Sequence, residues 1–336
     1  MPAARAPSAL PQPPRRVVAS SEDAASSLRT VRDLVRHAVS RLCQAQVAFG
    51  HGTDDVHDEA IWLVCWVLHL PVAHYVALAD GAVAWAEVRA VLDLLERRCA
   101  ERRPLAYLVG EAWLMGYRFR CDARALVPRS LIAEALAEGA LALHLPPRLR
   151  SGDGDGARIL DLCTGGGSLA IIAATAWPEA EVTGSDLSAP ALALAAENVA
   201  DYGLGDRLQL VQGDLFAGLG RQRFDLILCN PPYVNARSMA ALPAEFRAEP
   251  QGALAGGEDG MELVARILAA APGYLQPDGL LVVEIGHEAR HFARRFDRLE
   301  WAWIGVAQGE DRIVAVGASA LREAFATTAG PRIRRR

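Results

Sequence analysis

Four consecutive residues, Asn230, Pro231, Pro232 and Tyr233, have the types and spacing to bind a flat, conjugated amino group. They follow the apolar run 224–229, which has the composition of a buried strand. Each proline fixes its φ angle and lacks an N–H donor, so the carbonyl groups of this turn can face a cleft. The Asn230 side-chain oxygen and the Pro231 carbonyl would each accept one N–H, and the Tyr233 ring would stack on the plane of the ligand. The pattern predicts a site for an amide or arylamine nitrogen.

The chemistry expected at such a site is activation of a weak nucleophile by positioning. The nitrogen reacts poorly because its lone pair is delocalised, and two acceptors that hold both hydrogens favour a pyramidal nitrogen. If a sulfonium methyl group lies in line with the lone pair, the nitrogen can take the methyl group as the sulfur leaves. This reaction needs no lysine, metal or covalent nucleophile. The composition agrees, since all 35 basic residues are Arg. This excludes a Walker-type phosphate loop and any Schiff-base or general-base lysine.

Acidic residues stand at the ends of three successive predicted strands. Asp161 opens the segment 161–167 (Asp-Leu-Cys-Thr-Gly-Gly-Gly), whose glycines allow a ligand close to the start of a helix. Asp186 is placed to accept hydrogen bonds from ribose hydroxyls, and Asp214 to meet an adenine edge. One aspartate alone would be interpreted as a cap, but three favour a nucleoside ligand. The predicted cofactor-binding residues are Asp161, Cys163, Thr164, Gly165, Gly167, Asp186, Leu187, Asp214, Leu215 and Asn230.

The glycine segment also fits a competing interpretation. Residues 165–170 satisfy the G-x-G-x-x-A pattern of dinucleotide-binding folds, which leaves a nicotinamide-dependent dehydrogenase open. Asp161 counts against that enzyme, because a negative charge ahead of the loop would repel a pyrophosphate but suit a cationic amino-acid ligand.

Taken together, the strand pattern, the glycine segment, Asp186, the segment 213–216 (Gly-Asp-Leu-Phe) and the Asn-Pro-Pro-Tyr motif resemble the S-adenosylmethionine-dependent amino methyltransferases. Adenine-N6 DNA methyltransferases and protein-glutamine methyltransferases share the last motif, and a helical region ahead of the core is similar to the glutamine enzymes. The resemblance implies S-adenosyl-L-methionine as the cofactor and a protein glutamine as the acceptor. It implies catalysis by Asn230, Pro231, Pro232 and Tyr233.

Two further segments narrow the resemblance. Residues 51–60 and 126–130 resemble signatures of the protein-glutamine methyltransferases that act on large-subunit ribosomal protein three, which is therefore the expected protein partner. Release-factor glutamine methyltransferases carry Pro-Asp-Thr-Glu after the Pro-Arg of the second segment, and this chain does not. A release factor remains the alternative substrate. DNA adenine methylation is disfavoured by the net charge of −5 and by the lack of a sizeable base-recognition region.

Predicted strands and helices alternate along the sequence, which indicates an α/β architecture. With the resemblance above, we expect a Rossmann-like class I methyltransferase sheet that is mostly parallel with an antiparallel edge hairpin. A small helical domain and a β-hairpin should precede it. The predicted segments are a disordered leader at 1–27, a helical substrate-binding domain at 28–110 that presents the target loop over Tyr233, a hairpin and connecting helix at 111–150, the methyltransferase domain at 151–320 and a basic tail at 321–336. The predicted strands and helices of the core are strands 157–163, 181–185, 208–212, 224–229, 280–285, 301–306 and 312–316, and helices 130–145, 168–177, 189–202 and 261–274.

Other features predict no further chemistry. The run 287–291 (His-Glu-Ala-Arg-His) matches a zinc-protease pattern but directly follows a strand, and Asp54 or Asp55 is expected to cap a helix, so no metal site is predicted. The longest apolar run, 60–73, is shorter than the roughly 20 residues that a bilayer helix needs. Six cysteines without a C-x-x-C pair fit a cytoplasmic protein. Nucleic-acid contact is expected at most from the Arg-rich tail.

Overall fold

The computed structural model describes residues 20–150, 152–307 and 309–325. Contacts divide the chain into two compact units. The first comprises residues up to 47 together with 55–100, and the second comprises the loop 48–54 together with the chain from residue 101 onward. Residues 1–19 of the predicted leader and 326–336 of the predicted tail lie outside the described residues.

The ends of the described chain are more ordered than the sequence suggested. Residues 21–27, assigned to a disordered leader, form helix α1 (Ser21–Ser27), because Ser20 caps it and two alanines are buried against the first unit. Residues 321–325, assigned to the basic tail, belong to helix α15 (Ala318–Phe325), since Leu321 packs into the core. Both predictions were wrong at these residues.

The first unit is helical, as predicted. Its further helices are α2 (Val31–Ala45), α3 (Val56–Val67), α4 (Tyr75–Leu78) and α5 (Trp85–Glu101). Asp55 caps α3 by accepting the backbone N–H groups of His57 and Asp58. Among the described residues, no single helix has the length and apolar composition to cross a membrane, and α3 with the segment Val72–Leu78 meets that test only as a pair bent by 107°.

The second unit begins with helix α6 (Leu105–Val109) and the predicted hairpin. Its strands β1 (Glu111–Leu114) and β2 (Tyr117–Arg120) are antiparallel and joined by two residues with positive φ angles. The predicted helix 130–145 is wrong in its length. It ends as α7 (Leu131–Ala137) because Gly139 takes a left-handed conformation, and α8 (Pro147–Arg150) follows.

A seven-stranded sheet forms the centre of this unit, in the order β5-β4-β3-β6-β7-β9-β8. Its strands are β3 (Arg158–Leu162), β4 (Glu181–Asp186), β5 (Leu208–Gln212), β6 (Phe224–Cys229), β7 (Leu275–Glu284), β8 (Ala302–Trp303) and β9 (Ile313–Gly317). Strands β3 to β7 are parallel, and β9 is antiparallel to both β7 and β8. The predicted class I methyltransferase sheet and its antiparallel edge are confirmed.

Helices flank the sheet and two hydrophobic clusters fill the space between them. The flanking helices are α9 (Ser168–Ala176), α10 (Ala189–Asp201), α13 (Glu262–Ala270) and α14 (Ala289–Arg295). The short helices α11 (Ala236–Ala240) and α12 (Ala244–Arg247) lie between β6 and α13 along the chain. Neighbouring strand residues such as Ile159 and Leu160 belong to different clusters, which is the period of two that a strand buried on both faces requires. The centre of the sheet is therefore apolar on both faces.

Candidate active site

Two cavities meet at the carboxyl end of β6. The first, here called the glycine-loop cavity, has a volume of about 510 Å³ and is lined by Cys163, Gly165, Asp186, Asp214 and Asn230 among others. The second, here called the tyrosine cavity, has a volume of about 630 Å³ and is lined by Arg129, Asn230, Pro231 and Tyr233 among others. Because Asn230 lines both, groups bound in the two cavities would meet at its side chain.

Most of the predicted cofactor residues lie in the wall of the glycine-loop cavity. These are Cys163, Gly165, Asp186, Leu187, Asp214, Leu215 and Asn230. Asp186 organises the wall, because one of its oxygens accepts the backbone N–H of Gly165 at 2.9 Å and the other that of Ser188 at 2.8 Å. Cys163 enters the loop with a φ angle of 62°, which turns the chain away from β3.

The other three predicted residues, Asp161, Thr164 and Gly167, are not among those that line the cavity. Asp161 is buried, and one of its oxygens accepts the Thr164 hydroxyl at 2.6 Å and the Ala170 N–H at 2.9 Å. Burial raises the pKa of Asp161 to about 7. Gly167 adopts a left-handed conformation where a Cβ would lie 3.2 Å from that of Ala195. These three residues therefore fix the conformation of the glycine segment and do not line the cavity.

Asp214 lines the glycine-loop cavity and forms an ion pair of 2.7 Å with Arg266, which also lines it. The preceding Gly213 permits the turn, since a Cβ there would lie 1.8 Å from the carbonyl oxygen of Ala217. Sequence reasoning missed Arg266 because it lies on helix α13, far from any motif.

The glycine-loop cavity fits S-adenosylmethionine. Its volume lies in the range of roughly 300–1,000 Å³ that small-molecule sites occupy. Asp186 and Asp214 offer carboxylate oxygens for hydroxyl and amino groups, while Leu187 and Leu215 offer apolar surface to a base. The Ser185 hydroxyl also belongs to this wall, is buried, and has no hydrogen-bond partner among the described residues. The fold therefore leaves one buried polar group unsatisfied beside this cavity.

In the tyrosine cavity, the two predicted acceptors are available. Within the described chain, neither the Asn230 side chain nor the Pro231 carbonyl takes part in a hydrogen bond. The turn that carries them is nevertheless held, since the Val234 N–H donates to the Leu254 carbonyl at 2.9 Å and the Val234 carbonyl accepts the Gly256 N–H at 2.9 Å. A fixed turn with unused acceptors is suited to an incoming NH₂ group.

Tyr233 is held in place by Glu284, a residue to which the sequence had assigned no role. The tyrosine hydroxyl donates to Oε1 of Glu284 at 3.0 Å, and Oε2 accepts the Ser130 hydroxyl at 2.7 Å and the Leu131 N–H at 2.8 Å. Burial raises the pKa of both Tyr233 and Glu284. Gly286 leaves room for the ring, because a Cβ there would lie 2.4 Å from Cε2 of Tyr233.

His51 of the signature segment 51–60 and two residues of the segment 126–130 contact Glu249, which sequence reasoning missed entirely. Its two oxygens pair with the guanidinium of Arg129 at 2.7 Å each, and one also accepts the Val127 N–H at 3.1 Å. Nε2 of His51 lies 3.4 Å from the other. A buried glutamate in an irregular segment has no periodicity by which a sequence could reveal it.

The family of this chain follows from its similarity to known proteins. Residues 139–257 match the family model described as methyltransferase small domain, and residues 33–110 match the one described as PrmC N-terminal domain. The ribosomal protein uL3 glutamine methyltransferase of Bordetella pertussis is 55% identical over 85% of this chain and 94% of its own length. That of Burkholderia pseudomallei is 50% identical over 87% and 96%. The chain belongs to the ribosomal protein uL3 glutamine methyltransferase family.

This family assignment confirms the predicted resemblance to the protein-glutamine methyltransferases. The fold is also similar to a methyltransferase from Pyrococcus furiosus, with a TM-score of 0.43 and 17% identity over 61% of this chain and 89% of that one.

Three further features of the sequence are placed by the structure. Trp113, in the hairpin strand β1, is half exposed and lines the tyrosine cavity. In the run 287–291, His287 precedes helix α14. One oxygen of Glu288 accepts a hydrogen bond from Nδ2 of Asn235, and the other pairs with Nδ1 of His291. No group of three His, Cys, Asp or Glu residues in the described parts of the chain is arranged to hold a metal ion.

Proposed function

We propose that this protein transfers a methyl group from S-adenosyl-L-methionine to the side-chain amide nitrogen of a glutamine in large-subunit ribosomal protein uL3. The observation that carries the proposal is the position of Asn230 in the walls of both cavities, with its side chain unused by the fold. The names of the relatives, which are 42–55% identical over most of the chain, support the substrate.

The residues of the tyrosine cavity supply orientation and electrostatic stabilisation. When bound, S-adenosylmethionine supplies an electrophilic methyl group on a positively charged sulfur. Asn230 and the Pro231 carbonyl accept the two amide hydrogens of the glutamine, which directs the nitrogen lone pair toward the glycine-loop cavity. As the nitrogen takes the methyl group, the carbon–sulfur bond would break to leave a neutral thioether, and one amide proton would be released to water. The positive charge that develops on the nitrogen meets the same two oxygens, which already face it and need no reorganisation. Tyr233, fixed through Glu284, defines the plane in which the carboxamide lies.

The residues of the glycine-loop cavity would hold the cofactor. Asp186 and Asp214 would accept hydrogen bonds from its hydroxyl and amino groups, and Pro232 lines the cavity together with Asn230. We place the reaction in the cytoplasm, a proposal supported by the free thiol state of all six cysteines.

The test is incubation of the purified protein with labelled S-adenosylmethionine and one of three acceptors: uL3, a peptide-chain release factor, or an adenine-containing DNA duplex. We expect label on uL3 and a glutamine that is heavier by one methyl group in tandem mass spectrometry. Asn230→Ala should give no label on uL3. Label on the release factor or the duplex in preference to uL3 would overturn the proposed substrate, and cofactor binding without any methylated product would overturn the proposed activity.

A further inference from the structure

The cluster around Glu249 joins three separate pieces of the tyrosine-cavity wall. Arg129 lines the cavity, and its guanidinium carbon lies 5.4 Å from the ring centre of Phe246, another lining residue. The loop 48–54 contributes Gly50 and Gly52 to the same wall, and the ring of His51 lies 4.2 Å from that of Phe246. Glu249 contacts both Arg129 and His51, so one carboxylate connects the loop, the arginine and the aromatic ring.

This carboxylate is charged although it is only 2% exposed. Burial by itself would raise the pKa of Glu249, but the contact with His51 and the charge and hydrogen bonds of Arg129 outweigh burial and lower it to about 2. The Arg129 guanidinium in the wall of the tyrosine cavity is therefore paired with an ionised carboxylate, that of Glu249, which balances its charge.

That balance bears on the methyl-transfer step. The acceptor nitrogen is neutral before the reaction and becomes positive as it takes the methyl group. An uncompensated guanidinium in the cavity wall would repel this developing charge, and the repulsion is strong where water is excluded. We propose that Glu249 is a positioning residue for catalysis: it holds Arg129 and the loop 48–54 in the wall of the tyrosine cavity and cancels the guanidinium charge that would oppose methylation. The inference rests on the proposed function.

The experiment compares Glu249→Gln with the matched variant Asp225→Asn. Asp225 is also a buried carboxylate that accepts one backbone N–H, that of Arg158 at 2.9 Å, and pairs with one arginine, Arg148 at 3.7 Å. It lines neither cavity. We expect Glu249→Gln to lower kcat for uL3 methylation roughly 10- to 100-fold while the Kd for S-adenosylmethionine in calorimetry stays unchanged. Asp225→Asn should change neither.

The double variant Arg129→Gln with Glu249→Gln separates charge compensation from simple support. If Glu249 compensates the charge of Arg129, removal of both charges should restore part of the lost kcat. A merely structural role predicts a double variant at least as impaired as Glu249→Gln alone. If Glu249→Gln does not fold, the double variant still tests charge compensation, because it leaves no unpaired buried charge in this pair.

Three outcomes would overturn the inference: an unchanged kcat in Glu249→Gln, an equal loss in Asp225→Asn, or a folded double variant that recovers nothing. A wild-type protein that methylates no acceptor would instead refute the proposed function.

Discussion

Tyr233 and Glu284, 51 residues apart in the chain, both line the tyrosine cavity and are joined by a hydrogen bond of 3.0 Å. The glutamate is shared, since its other oxygen receives the Ser130 hydroxyl and the Leu131 N–H at the start of helix α7. The ring that is proposed to stack on the acceptor is thus tied through the last residue of β7 to a helix end. Its position is set by tertiary contacts rather than by the local turn.

Tyr233→Phe should show what this hydrogen bond contributes. The change keeps the ring but leaves Oε1 of the buried Glu284 without its donor, so the free energy of unfolding should fall by about 1–2 kcal/mol. We expect kcat to fall less than about tenfold, whereas Tyr233→Ala removes the ring and should lower it about 100-fold. Tyr202→Phe, whose hydroxyl donates to the Arg118 carbonyl on the surface at 2.9 Å, is the control. Equal kcat values for Tyr233→Phe and Tyr233→Ala would show that the ring itself is dispensable.

Asn230→Ala should separate turnover from cofactor binding. The side chain is unused by the fold, so its removal should leave stability nearly unchanged while it takes away one of two acceptors for the amide hydrogens. We expect turnover with uL3 to be abolished and the Kd for S-adenosylmethionine to change little. Single-turnover kinetics and calorimetry measure the two quantities. A comparable loss in both would contradict the role assigned to Asn230.

Asp186→Ala should weaken cofactor binding first. It removes the acceptor for the backbone N–H groups of Gly165 and Ser188 together with the proposed ribose contact. The Kd for S-adenosylmethionine should rise roughly 10- to 100-fold, which corresponds to about 1.4–2.8 kcal/mol, while kcat at saturating cofactor changes less. Glu181→Ala, at the exposed opposite end of the same strand, should leave the Kd unchanged. The prediction is wrong if both variants bind the cofactor equally well.

Gly286→Ala should displace Tyr233 without any change in its chemistry. A Cβ at residue 286 would lie 2.4 Å from Cε2 of the tyrosine, and the φ angle of 54° disfavours any side chain. We expect a large loss of kcat with an unchanged Kd for S-adenosylmethionine. Gly205→Ala, where a Cβ would meet nothing within 4 Å, should be neutral. Wild-type kcat in Gly286→Ala would mean that the ring position is not critical.

The pH dependence of stability should carry the signature of Asp161. Its pKa is raised by burial to about 7 in the folded protein, against 3.8 for an unperturbed aspartate. The folded state therefore holds this proton more tightly, and the stabilisation it provides is fully present below about pH 4 and lost as the pH rises through 7. Asp161→Asn cannot titrate. The difference in unfolding free energy, wild type minus Asp161→Asn, should decline by about 2–4 kcal/mol between pH 4 and 8. Denaturant titrations at several pH values measure it, and a constant difference would contradict the assignment.

Much of the core follows from short-range patterns. Strands β5 and β6 lie at the predicted residues. Strand β6 is buried along its whole length and reads as a nearly continuous apolar run, whereas β5 lies at the sheet edge, is only partly buried and alternates apolar and polar residues. Strand β7 begins at Leu275, earlier than the predicted residue 280, because Leu275 pairs with Phe224 across a register shift that no local pattern encodes. Helix α7 is shorter than its apolar periodicity suggested, since Gly139 ends the regular turn.

The sequence by itself determined the acceptor turn at 230–233, the glycine segment and the acidic residues near the carboxyl ends of the strands. These features depend on residue type and on distances of a few residues along the chain. The tertiary structure alone decided that Asn230 lines two cavities, that Glu284 holds Tyr233 and that Glu249 joins His51 to Arg129. Such contacts join residues that lie far apart in the chain. Their energies depend on burial and exact geometry, which arise only when the sheet brings its strand ends together.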